Sequence, residues 1–173
     1  MRKALLLGVL LLATAQAAPS QTEDNKLAPK PCSAPEHRQF DFWLGEWTVE
    51  AKGKQAGSNK ITAILGGCVL FEEWQSAASG YAGKSFNRYD PASGQWRQLW
   101  VDSGGGALDL AGGYQDGKMI LQGEQTSKDG AKLQNRITWY NNTDKTVRQH
   151  WQQSSDGGKT WKTVFDGLYT RAK

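Results

Sequence analysis

The sequence predicts an all-β fold, a single antiparallel up-and-down barrel of about ten strands with a short N-terminal lead-in. Three observations carry that expectation. Strand-length runs recur from residue 47 to residue 171, separated by Gly, Asn, Asp and Pro turn signals. The strand faces are mixed rather than cleanly apolar. No segment beyond the approach at 36–44 shows helical periodicity.

The N-terminal elements come first. Arg2 and Lys3 precede an apolar run from Leu5 to Leu12, and Ala15-Gln16-Ala17 fits a small-X-small cleavage site. Residues 1–17 therefore read as an export signal, too short in its apolar run to span a bilayer. Removing 17 of the 173 residues leaves 156, one domain of ordinary size. It also removes two basic residues, taking the formal net charge from +4 to +2. A charge that small gives no reason to expect nucleic acid or an anionic membrane surface as a partner. The mature form is expected in the periplasm or outside the cell, off the membrane, as a monomer or small homo-oligomer.

Residues 18–36 are rich in Pro, Ala, Ser and charge without apolar periodicity, and read as a flexible segment. The barrel domain is expected at 37–173. Cys32 and Cys68 are an even pair in an exported chain, which favours a disulfide. The alternative is two buried free thiols.

Strands are expected at about 47–53, 58–66, 68–76, 81–89, 95–102, 107–114, 118–126, 132–140, 145–153 and 160–171. Asp90-Pro91-Ala92-Ser93-Gly94 makes one hairpin loop, and Asp116-Gly117 is the strongest two-residue hairpin signal. Asp129-Gly130 and Asn141-Asn142-Thr143-Asp144 serve the same purpose. Gly104-Gly105-Gly106 is a hairpin hinge, since no helix follows it. Short connections imply sequential pairing, and a sheet of ten strands removes its open edges by closing.

Alternation separates the faces. In 95–102, Trp96, Gln98, Trp100 and Asp102 share one face, with Arg97, Leu99 and Val101 on the other. In 145–153, Val147, Gln149, Trp151 and Gln153 oppose Arg148, His150 and Gln152. Arg97-Gln98-Leu99-Trp100 and Arg148-Gln149-His150-Trp151 both read R-Q-x-W. Rows of exposed Trp are disfavoured on a soluble protein, so the Trp/Gln faces are expected to point inward. Trp96, Gln98, Trp100, Gln149 and Trp151 would then line a lumen suited to an aromatic, amphipathic or sugar-like small molecule. The competing expectation is that they simply fill the barrel.

Two short signatures bracket the domain: Phe40-Asp41-Phe42-Trp43-Leu44-Gly45-Glu46-Trp47 at its start and Gly167-Leu168-Tyr169-Thr170-Arg171 at its end. Gly45, Trp47 and Arg171 resemble the lipocalin and wider calycin closure, in which the Trp plugs one end and the Arg stacks on its face by a cation–π contact. That role is structural. The string from Phe40 to Trp47, together with Gly67-Cys68, Glu73-Trp74, Ser85-Phe86-Asn87, Gln98 to Asp102 and Arg136 to Trp139, resembles a largely uncharacterised family of exported bacterial β-barrel proteins. The resemblance implies fold and export and carries over no activity. Nitrobindin-like ten-strand barrels are a looser match. They hold haem through a His on a late strand, and 159–171 here contains none.

Ser154-Ser155-Asp156-Gly157-Gly158-Lys159-Thr160-Trp161 fits the Asp-box pattern S-x-D-x-G-x-T-W. A single copy cannot build a propeller, so it reads as a rigid hairpin rather than a glycosidase hint. His37 and His150 are the only histidines, without a carboxylate or Cys cluster at ligand spacing, so no metal is expected. No cofactor is expected either. No G-x-S-x-G or phosphate loop is present. The rival to a binding barrel is an enzyme, such as an isomerase, cyclase or hydrolase, using Glu72, Asp102 or His150 as acid or base. Adjacent Glu72 and Glu73 point to opposite faces, and one of the two is expected to face the lumen near Arg136 or Arg148. A third possibility is a structural or interaction module with a filled barrel.

Overall fold

The computed structural model describes residues 30–127 and 129–173. The expected signal segment 1–17 and residues 18–29 of the lead-in lie outside the described residues. Two 3₁₀ turns, Pro35–Arg38 and Asp41–Trp43, lead into ten strands. These are β1 (Gly45–Ala51), β2 (Lys54–Ile64), β3 (Val69–Ser76), β4 (Ala82–Asp90), β5 (Gln95–Asp102), β6 (Ala107–Gln115), β7 (Lys118–Thr126), β8 (Lys132–Asn141), β9 (Val147–Ser154) and β10 (Lys162–Arg171). Each strand pairs antiparallel with its neighbours in sequence, and β1 pairs with β10 to close the barrel.

Local chemistry explains the hairpins. Asp116 and Gly117 have φ of 49° and 74°, the left-handed pair that a tight two-residue hairpin needs. Lys52 and Gly53 form a second such turn, with φ of 51° and 71°. The first hairpin therefore turns earlier than the sequence suggests, because Lys-Gly lacks the Asn or Asp that announces such a turn. In the Asp box, Asp156 Oδ1 accepts from the backbone N–H groups of Lys159 and Thr160 at 3.0 and 2.9 Å, and Oδ2 accepts from Thr160 Oγ1 at 2.6 Å. These bonds, led by the Thr160 hydroxyl, hold the Asp156 carboxyl well below the usual carboxylate range. Trp161 Nε1 donates to Gly158 O at 3.0 Å and pins the next strand.

One end of the barrel is sealed by the lead-in. Phe40 and Trp43, both fully buried, stack with ring centroids 4.9 Å apart, and Trp96 and Trp139 meet the Phe40 ring edge-on at 5.6 and 5.2 Å. Trp47 completes the floor. Its Nε1 donates to Trp43 O at 2.9 Å, and the Arg171 guanidinium lies 3.8 Å from its ring centroid. Arg171 Nη1 also donates to Leu44 O at 2.5 Å. Gly45 sits at φ 125°, and a Cβ there would lie 1.8 Å from Arg171 Nη1, far inside van der Waals contact.

The lead-in is tied to the wall as well. Cys32 and Cys68 form a disulfide across a sequence separation of 36, and Arg38 hydrogen-bonds Gly67 O next to it. Trp96 Nε1 donates to Glu36 O at 3.2 Å and to Gln39 Oε1 at 3.3 Å.

Trp47→Ala is expected to destabilise the domain by about 3–5 kcal/mol, as for other buried aromatic truncations. Gly45→Ala should also destabilise it, because the substitution combines a strained φ with a clash against Arg171. Urea unfolding measures both, and wild-type midpoints would contradict the floor described here. Reduction of the disulfide is expected to cost roughly 2–4 kcal/mol. Thiol labelling of the denatured, unreduced protein should find no reactive cysteine.

Candidate functional site

Alternation along each strand sends one set of side chains inward, and the plug fills only one end. At the other end lies an open cavity of about 320 Å³. Its lining comes from the strand ends opposite the plug, among them Ala56 near the start of β2, Ser76 at the end of β3 and Phe165 near the start of β10. The walls are aromatic: Trp74, Tyr81, Trp100, Trp151 and Phe165. The deeper part carries Glu72, Gln98, Gln149 and Tyr169 among Leu108 and Ile137. Small residues make room for these rings. A Cβ on Gly57 would strike Trp74, and one on Gly83 would strike Trp100, so both indoles pack closely against bare backbone.

Gln98, Trp100, Gln149 and Trp151 all line this cavity. Trp96 does not. It shares the inward face of β5, but it stands one inward position nearer the floor, at the level the lead-in occupies, and its ring is spent on the plug. His150 lies on the outer wall, with Nε2 2.9 Å from Thr163 Oγ1. Arg148 is also outside, bidentate to Asp166 at 2.7 Å on both bonds. Arg136 bonds Gln152 and lies over the Trp161 ring at 4.2 Å. Neither arginine therefore approaches Glu72. Outward placement of both follows from their shared strand parity with Gln152 and His150.

Glu72 is the main feature of the deep layer. It is buried, and its two carboxyl oxygens accept from Asn59 Nδ2 at 2.7 Å and Ser85 Oγ at 2.6 Å. Ser85 Oγ in turn accepts from Asn87 Nδ2 at 2.8 Å, and Asn87 Oδ1 accepts from Gln98 Nε2 at 2.7 Å. Four strands, β2 to β5, thus contribute to one chain in which every donor points toward Glu72. Burial raises the Glu72 pKa from 4.5 to about 7, and the Ser85 and Asn59 bonds hold it from going higher. Tyr169, from β10, donates to Gln149 Oε1. Burial, with the Glu72 charge as a second cause, lifts its phenol well above the usual range. Asn59 Oδ1 is buried without a partner among the described residues.

Asp102 sits at the mouth end of β5. Burial alone would raise its pKa, but hydrogen bonds from the backbone N–H groups of Gly106 and Gly104, at 3.1 and 2.7 Å to Oδ1, outweigh it and keep the carboxyl ionised. Its Oδ1 is committed to that loop, and side-chain hydrogen bonds from Tyr81 and Trp100 lower its pKa further. Among the described residues no group of three or more His, Cys, Asp and Glu is placed to hold a metal ion.

Among the lining residues that sequence reasoning left out of the ligand set are Glu72, Trp74, Phe165 and Tyr169. A usable signal existed for the first two. Leu70, Glu72, Trp74 and Ser76 alternate on one strand face, and a lone acid in an otherwise inward row marks itself. Phe165 gave less warning, because the pairing of β10 with β9 shifts register between Thr163 and Phe165.

Comparison with known proteins finds no matching family model and no matching curated sequence.

A buried acid titrating near neutrality leaves a mark on stability. Between pH 4.5 and about 7 the unfolded chain releases the Glu72 proton while the folded chain keeps it. The folded state then binds more protons, so stability falls as pH rises through this window and levels off above it. The shift corresponds to about 3 kcal/mol. Urea unfolding at pH 5, 6, 7 and 8 should show wild type losing stability relative to Glu72→Gln by about that amount. Parallel curves would contradict the buried, proton-holding state of Glu72.

Proposed function

We propose that this chain is an exported, calycin-like barrel that holds one small aromatic or amphipathic molecule in its lumen. The observation that carries the proposal is the open cavity of about 320 Å³, with aromatic walls and a polar floor. That volume lies at the low end of ordinary ligand pockets, and few convergent polar groups in an apolar cleft are the usual recipe for orienting a ligand. The cavity also weighs against a wholly filled barrel. The Cys32–Cys68 disulfide supports an oxidising compartment. The N-terminal 17 residues support export, and the lipocalin-type closure by Gly45, Trp47 and Arg171 supports kinship with exported bacterial barrels.

One observation favours a second reading, an enzyme. Glu72 lines the cavity with a pKa raised to about 7, which suits a general acid or base. The hydroxyls beside it in the lining are those of Ser76, Tyr81 and Tyr169, and among the described lining residues no His or Lys stands ready to activate them. Binding is therefore the better supported function.

A neutral aromatic dye, N-phenyl-1-naphthylamine, is expected to bind saturably with one-to-one stoichiometry and to quench the intrinsic Trp fluorescence. Trp100→Ala and Trp151→Ala should weaken it roughly threefold to tenfold while retaining the far-ultraviolet circular dichroism of the folded barrel. Absence of saturable binding to wild type would count against a ligand-holding lumen. Native mass spectrometry of protein taken from its own periplasm should find a retained small molecule on a chain beginning at Ala18.

A further inference from the structure

The charge inventory of the cavity is one-sided. Among the described residues its lining contains no Lys, Arg or His, and its single carboxyl, that of Glu72, stands in the deep layer beneath three indoles, those of Trp74, Trp100 and Trp151. We infer that the lumen ligand is an organic ammonium, whose charge pairs with the Glu72 carboxylate and lies among the indole faces. This rests on the reading of the lumen as a ligand site and names the chemical class that site selects.

Three features converge on a cation. Indole faces are the best aromatic partners for an ammonium group, and their attraction grows when water is excluded. The hydrogen-bond chain from Gln98 through Asn87 and Ser85 ends as donors on Glu72, an arrangement that stabilises a carboxylate and offers a ligand acceptors. An anionic ligand would meet no compensating charge there. At the mouth, Asp102 remains ionised and draws cations toward the opening.

The groups facing Glu72 make its titration simple. Asn59 faces it from β2, Ser85 from β4, Gln98 from β5, Gln149 from β9 and Tyr169 from β10, while Leu108 and Ile137 line the same cavity from β6 and β8. Of these only Tyr169 titrates, and it does so far above neutrality. The charged neighbours along β2 to β4 face outward, Lys84 paired with Glu73 at 2.9 Å and Lys60 with Glu46 at 2.7 Å. Without a ligand, burial keeps Glu72 protonated up to about pH 7. Arrival of an ammonium favours the carboxylate, so binding below pH 7 expels the Glu72 proton to solvent.

Three probes of matched shape separate the possibilities: 1-naphthylmethylamine (a cation), 1-naphthylmethanol (neutral) and 1-naphthoate (an anion). Calorimetry on the wild-type protein should find the amine bound at least tenfold more tightly than the alcohol at pH 8, with the anion weakest. Amine affinity should fall about tenfold from pH 8 to pH 6 while alcohol affinity stays level. At pH 6, titrations in two buffers of different ionisation enthalpy should show about one proton released per amine bound and none for the alcohol. Glu72→Gln should bring the amine-to-alcohol ratio within about twofold. If the alcohol or the anion binds as well as the amine, or if no proton is released, the cation proposal is overturned and the lumen remains a ligand site. If none of the three binds, both fall together. The proton count uses wild-type protein, so it decides the matter even if the Glu72 variant fails to fold.

Discussion

The contact between Arg171 and Trp47 joins the last strand to the first, and the rest of the barrel depends on that closure. Ten antiparallel strands leave two open edges unless β10 finds β1. The register Trp47↔Arg171 sets where they meet. Arg171 then bridges the Trp47 ring and Leu44 O, so one guanidinium fastens both the seam and the entry of the chain into β1. Gly45 is required at the same place because the guanidinium occupies the space of its missing side chain.

Closure at one end decides where function can lie. The lead-in places Phe40 and Trp43 inside the barrel and stacks them against Trp96 and Trp139, which fills the lower lumen. The disulfide and the Arg38 bond to Gly67 O keep that plug from leaving. Among the described residues nothing fills the upper lumen in that way. Close packing of Trp74 and Trp100 on Gly57 and Gly83 leaves room there, and the cavity results. A buried carboxyl in that layer is tolerated because two donors satisfy its oxygens and because it can hold its proton near neutral pH.

Much of this was legible in the chain. Asp116-Gly117 announced a tight hairpin through its chemistry, and the Asp box announced a rigid loop, because both depend on a few adjacent residues. Inward placement of Gln98, Trp100, Gln149 and Trp151 followed from strand parity together with the cost of exposing rows of Trp. The Lys52-Gly53 turn was less legible, since its left-handed Lys carries no side-chain bond that favours the turn. Trp96 was read into the ligand set because parity distinguishes inside from outside and is blind to height along the barrel axis.

The sequence by itself determined the all-β class, the number of strands, the pairing of neighbours and the faces of β5 and β9, all of which are set by local turn chemistry and a period of two. Only the tertiary structure decided which inward residues belong to the floor and which to the cavity. It also brought Glu72 together with Asn59, Ser85 and Tyr169 from three other strands. Depth in a barrel depends on the stagger accumulated around all ten strands and on what plugs the end. That is a property of the closed ring, and no single strand encodes it.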